Sequence, residues 1–179
     1  MAAILPATFP DRNETGAKLN KLNILATGGT IDKIYYDDKS DYQIGEPEIG
    51  RILRAMNVAF DFEIRALMRK DSLHLEPADR ELIRQAIHTS PDRHFLITHG
   101  TDTMTDTAAA LGDVGDRVIV MTGALNPARF IDSDAVFNIG CAVGAVQALP
   151  PGIWIAMNGC IWDPAKVRKN RRANRFEAV

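Results

Sequence analysis

From Lys21 onward, short apolar runs alternate with segments whose apolar residues recur at three- and four-residue spacing. Leu22 to Ala26 reads as a strand, and Pro47 to Asn57 as a helix presenting Ile49, Ile52, Leu53 and Met56. Phe62 to Met68 is again strand-like. Pro77 then opens a helix with Asp79 in its first turn and Leu82, Ile83, Ala86 and Ile87 on one face. Phe95 to Thr98, Arg117 to Thr122 and Ile153 to Met157 complete a set of five strands, separated by helices over Thr105 to Leu111 and Ser133 to Gln147. The second of these helices aligns Ala135, Ile139, Ala142 and Val146 on one face. Gly140 and Gly144 lie within it, where glycine costs about 1 kcal/mol relative to alanine, which predicts close approach to the sheet or to another subunit. The alternation predicts an α/β fold: a parallel sheet with helices on both faces, closed by Cys160 to Val179.

Composition narrows the class without changing that picture. The 179 residues carry 21 Lys plus Arg against 23 Asp plus Glu, with 46% hydrophobic content. That is the profile of one soluble globular domain, and it excludes a collagen, a disordered tail or a membrane protein. A chain of this size buries about 70% of its unfolded surface and needs no disulfides. Cys141 and Cys160 lie in apolar stretches without CxxC spacing and read as buried reduced thiols, favouring the cytoplasm. Residues 1–21, which lack the charged start and long apolar run of a signal peptide, read as an N-terminal arm preceding a domain over 22–179.

In an open parallel sheet, ligands bind beyond the carboxyl ends of the strands. After the first predicted strand stands Thr27-Gly28-Gly29-Thr30, and after the third Thr98-His99-Gly100-Thr101-Asp102-Thr103. Glycine beside threonine at a strand end offers free backbone N–H groups and hydroxyls to an anion or a developing oxyanion. A lone TGGT reads first as a capped turn, but two such loops in one chain favour chemistry. Neither GxxxxGK[ST] nor GxGxxG occurs, and the histidines lack a metal-ligand partner set. No metal or organic cofactor is expected.

Thr27-Gly28-Gly29-Thr30-Ile31 and His99-Gly100-Thr101-Asp102-Thr103, with Val120-Met121-Thr122-Gly123-Ala124 and the Asp134, Asn138, Ala142 pattern, resemble bacterial-type L-asparaginases. These are threonine amidohydrolases that release ammonia from asparagine. The resemblance spans Leu22 to Phe176 and corresponds to the family's N-terminal domain, without its smaller second domain. It implies a three-layer, doubly wound, flavodoxin-like α/β fold. It also implies roles: Thr30 as nucleophile, Tyr42 as the activating tyrosine of a lid, and Thr101, Asp102 and Lys169 as a second catalytic set. Gly29, Ser72, Gly100, Thr101 and Asp102 would contact substrate. The polar run Asp37-Asp38-Lys39-Ser40-Asp41 and Gly45 suit a lid. His99 is not the family's base. Departures are Asp32 and Lys33 in place of small residues, Leu73 in place of a polar one and Asn170 in place of threonine.

The leading expectation is a cytoplasmic L-asparaginase, homo-oligomeric as a dimer or tetramer, with L-asparagine as its small-molecule partner and no membrane or specific nucleic-acid partner. An alternative is a non-catalytic sensor of asparagine or aspartate. A third reading notes the net +5 of Lys166 to Val179 against −7 for the remainder. Contact between the two explains this asymmetry more simply than nucleic acid does.

Overall fold

Six hydrogen-bonded strands run through the centre of the computed structural model, which describes residues 19, 21–35 and 42–179. In chain order the elements are β1 (Lys21–Gly28), β2 (Lys33–Tyr35), β3 (Tyr42–Ile44), α1 (Ile49–Ala55), β4 (Asp61–Lys70), α2 (Pro77–His88) and β5 (His94–Thr98). There follow α3 (Met104–Leu111), β6 (Val118–Thr122), α4 (Ala135–Ala148), β7 (Gly152–Met157), β8 (Cys160–Trp162), β9 (Val167–Asn170) and β10 (Arg175–Ala178). The expected arm and the run Asp37 to Asp41 lie outside the described residues, apart from Leu19 and Lys21.

The sheet order is β4-β1-β5-β6-β7-β8, with only β8 antiparallel. Counting the five parallel strands alone, this is the 2-1-3-4-5 order of flavodoxin-like folds, as expected. Alternating side chains divide the core into two layers. Leu22, Ile24, Leu96, Val120 and Ala156 pack with α1 and α4. Leu25, Phe95, Ile97, Ile119, Met121 and Ile155 pack with residues of α2 and α3. Proline at the start of α2 is accompanied by Asp79, whose carboxylate accepts the Glu76 N–H at 2.8 Å.

Several expectations are corrected. Met56 falls one residue beyond α1, and Leu82 lies on the outer flank of α2's apolar stripe; both are exposed. Cys141 is half-buried and Cys160 exposed, because Cys160 opens the edge hairpin β7–β8 rather than a core strand. Both are free thiols. A Cβ on Gly140 or Gly144 would meet nothing within 4 Å, so neither glycine serves close packing on the sheet. The basic tail folds back as the β9–β10 hairpin. There Arg168 pairs with Glu177, and in the turn just before β9 Lys166 pairs with Asp163.

Candidate active site

The switch point of the sheet lies between β1 and β5, the adjacent strands whose connections run to opposite sides, so both threonine loops emerge there. Their backbones abut. Gly29 has φ +87°, and a Cβ on it would stand 2.5 Å from Gly100 Cα and N. Gly100 in turn leaves no room for a side chain against Ser72, whose Oγ and Cβ would lie 2.5 and 2.6 Å from a Cβ there. Gly29, Gly100 and Ser72 are thus stacked in contact, and the three loops after β1, β5 and β4 converge. The Thr103 hydroxyl fixes the last two, donating to the Ser72 carbonyl at 2.8 Å.

Two threonines of these loops are available in different ways. Thr30 begins a 3-10 turn over Thr30–Asp32 and is half-buried. Thr101 is buried, and its Oγ1 lies 2.7 Å from Lys169 Nζ. The same Nζ is 3.1 Å from Asp102 Oδ1, so one lysine nitrogen links both residues. Lys169 reaches them because β9 pairs with β10, with Lys169 opposite the buried Phe176. By contrast, the Thr27 hydroxyl is occupied in holding the sheet, donating to the Thr98 carbonyl at 3.0 Å.

Ser72 is almost fully buried, yet its Oγ has no hydrogen-bond partner among the described residues. Buried hydroxyls are ordinarily paired, so Ser72 Oγ and the likewise unpartnered Thr98 Oγ1 stand out at these strand ends. Tyr42 lies in β3 of a short hairpin with β2 rather than in a loop, and it is exposed. Its ring packs against Tyr35 in a tilted arrangement with centroids 5.9 Å apart and carries Lys33 Nζ over its face at 3.8 Å. Among the described residues no hydrogen bond joins Tyr42 to Thr30 or Thr101. Gly45, expected as a hinge, is packed: its N–H donates to the Asp32 carbonyl at 2.8 Å and its Cα faces Ile34.

His99 is sealed beneath the site. Gly100 O can only accept, so His99 donates to it from Nδ1 at 2.7 Å and takes the Thr107 hydroxyl proton at Nε2, 2.9 Å away. Burial pushes the imidazole down to about 4, so it stays neutral and structural. Asp134 and Asn138 are structural as well. Asp134 accepts the Leu125 and Asn126 N–H groups, and Asn138 holds the Gly123 carbonyl at 3.0 Å. The loop they shape clasps the first motif, through Ala128 N–H to Ile31 O at 3.0 Å, Arg129 to the buried Glu48 at 2.7 Å, and Phe130 against Tyr35.

Two residues make contacts at the site that the motifs do not indicate. Lys33 pairs with Asp71 at 3.1 Å, both side chains largely covered. Arg171 reaches Asp102 Oδ1 at 3.2 Å. Arg171 opens the turn between β9 and β10, and no local pattern in the sequence points to it.

The described residues contain no group of three or more His, Cys, Asp or Glu side chains arranged for a metal ion, and no helix long and apolar enough to cross a membrane. A family model described as "Asparaginase, N-terminal" matches residues 21–179. L-asparaginase 2 of Escherichia coli (strain K12) is 30% identical over 167 residues, 84% of this chain and 47% of that protein. A glutamyl-tRNA(Gln) amidotransferase component of Methanococcus vannielii is also 30% identical, over 93% of this chain and 43% of its own length. Among solved structures, the thermostable L-asparaginase from Thermococcus kodakarensis superposes with a TM-score of 0.78 at 27% identity, covering 89% of this chain and 51% of that one. A probable cytoplasmic L-asparaginase from Campylobacter jejuni gives 0.76 at 26%, with 89% and 53% covered. The chain spans about half the length of the relatives it matches. Motifs, strand order and matches agree over the same residues, and the chain belongs to the asparaginase family, to whose N-terminal domain residues 21–179 correspond.

Proposed function

We propose that this chain is an amidohydrolase of the L-asparaginase type, cleaving the side-chain carboxamide of L-asparagine or a close derivative to a carboxylate and ammonia. The observation that carries the reading is Lys169, bridging Thr101 Oγ1 and Asp102 Oδ1 at 2.7 and 3.1 Å beside the TGGT loop. A hydroxyl, an amine and a carboxylate in one hydrogen-bonded line make a proton relay.

Thr30 Oγ attacks the amide carbon, and its proton leaves through Tyr42 or the Thr101–Lys169 pair. Backbone N–H groups of the glycine loops and the Thr101 hydroxyl hold the oxyanion. The C–N bond breaks as the nitrogen takes a proton, and ammonia departs from a Thr30 ester. Water attacks that ester, giving its proton through Thr101 to the Lys169 nitrogen, and as the C–O bond to Thr30 breaks the freed Thr30 oxygen takes that proton back. Asp102 holds the lysine in place throughout, and Ser72 Oγ serves a substrate carboxylate. Gly29 and Gly100 contribute by contact, since any side chain there would separate the loops.

The expected homo-oligomer belongs to the same proposal, supported by the exposed Phe137, Val136 and Met56, as does the cytoplasmic location, supported by the probable cytoplasmic relative from Campylobacter jejuni. Mass in solution should exceed that of one chain. The amidotransferase relatives support a second reading, a component of such an enzyme. Ammonia release from L-asparagine, N-acetyl-L-asparagine and L-glutamine, with wild type, Thr30→Ala and Thr101→Val, separates the cases. Both variants should lose at least 100-fold. Unchanged rates in both would overturn the proposal, and glutamine preferred over both asparagine amides would favour the second reading.

A further inference from the structure

The loop between β6 and α4 makes contacts with the first motif that the reaction itself does not require. It is fixed within itself: Asp134 accepts the Leu125 and Asn126 N–H groups, the Phe130 N–H donates to the Pro127 carbonyl at 2.9 Å, and the Ser133 hydroxyl donates to the Asn126 carbonyl at 3.0 Å. From this frame the Ala128 N–H reaches the carbonyl of Ile31, the residue next to Thr30, at 3.0 Å. Two positions on, the Phe130 ring packs on Tyr35 with centroids 5.6 Å apart and planes tilted by 40°. Tyr35 in turn packs on Tyr42, its partner across the β2–β3 pair.

The turn over Thr30–Asp32 runs directly into β2, so the hairpin's attitude sets where Tyr42 stands relative to Thr30. Three residues in each strand hold such a hairpin only marginally by their own pairing, and outside contacts must orient it. Lys33 supplies one, lying over the Tyr42 ring and tied to Asp71 at 3.1 Å. Phe130 supplies the other. It is 51% exposed and belongs to neither layer of the core, so its contact with Tyr35 is what its ring contributes. Resting on the amidohydrolase reading above, we propose that Phe130 is a positioning residue for Tyr42. By packing on Tyr35 it limits the directions from which the Tyr42 hydroxyl approaches Thr30, and it acts on the reaction only through that hairpin.

The test is a double-mutant cycle on ammonia release, using whichever of L-asparagine, N-acetyl-L-asparagine and L-glutamine wild type hydrolyses best. Tyr42→Phe removes only a hydroxyl and should lower kcat about 100-fold, the scale of a lost proton-transfer group. Phe130→Ala should lower kcat about tenfold with KM within about twofold of wild type, because a misplaced reacting group weakens the chemical step rather than binding. In the Tyr42→Phe background Phe130→Ala should have no further effect on kcat, since its route to the reaction is gone. A residue that merely supported the fold would lower both backgrounds equally. Phe130→Tyr, which keeps a ring on Tyr35, should hold kcat within about twofold of wild type, whereas Phe130→Leu should fall with alanine and replaces it in the cycle if Phe130→Ala does not fold. Equal losses in both backgrounds, wild-type kcat in Phe130→Ala and Phe130→Leu, a Phe130→Tyr variant as slow as alanine, or wild-type kcat in Tyr42→Phe each overturn the inference and leave the amidohydrolase reading standing. No ammonia from wild type with any of the three amides overturns both.

Discussion

Asp32 follows Thr30 by two positions and is buried, with its Oδ1 accepting the Glu48 N–H at 2.9 Å. Burial pushes its carboxyl from 3.8 up to about 7, the Glu48 N–H working against the shift and the Glu48 carboxylate adding to it. A folded value above the unfolded one means the contribution to stability is full below about pH 4 and is lost as pH rises through 7. Asp32→Asn keeps the acceptor and removes the charge, so thermal melts should show a stabilisation of roughly 2–4 kcal/mol at pH 8 that disappears by pH 4. His99 acts in the opposite sense. Its folded value near 4 lies below the unfolded 6.5, so its contribution is present above pH 6.5 and lost as pH falls through 4. In Asp32→Asn the His99 loss is no longer offset, and the variant should be more acid-sensitive than wild type between pH 6.5 and 4. A flat difference between the two melts across pH would contradict the Asp32 assignment, and no loss of stability in Asp32→Asn between pH 6.5 and 4 would contradict that of His99.

Strands β1, β4, β5, β6 and β7 and the helices between them are readable in the chain because each has a clear apolar pattern and is bounded by Gly, Pro or polar residues. The edge hairpins are not. Cys160–Trp162 is too short to show alternation, and β9 and β10 are polar strands whose pairing is decided by Phe176 entering the core against Lys169. The site divides the same way. The two threonine loops announce themselves locally, whereas Lys33 with Asp71 and Arg171 with Asp102 are pairs between distant segments that no local pattern encodes. The glycine contact between the loops after β1 and β5 is the element-level feature most open to test. Gly29→Ala would place a methyl at 2.5 Å from Gly100 backbone in a conformation that side chains rarely adopt, and Gly100→Ala would meet Ser72. Each should cost more than tenfold in ammonia release and lower the melting temperature by several degrees. Wild-type activity in both would mean that the loops need not touch.

At the scale of the whole molecule, every residue assigned a role comes from a chain about half as long as its relatives. The assigned groups converge from the ends of β1, β4 and β5 and from the β9–β10 hairpin, so the proposed reacting groups all lie within this fold. The central claim is that Thr30 becomes acylated at the switch point of the sheet. It is tested most directly by acid-quenching the purified chain during turnover of an asparagine-type amide and measuring the mass of the peptide that spans Thr30. An ester on Thr30, absent in Thr30→Ala together with ammonia release, is the predicted result. Sustained ammonia release with no adduct on Thr30, and undiminished release by Thr30→Ala, would contradict the account.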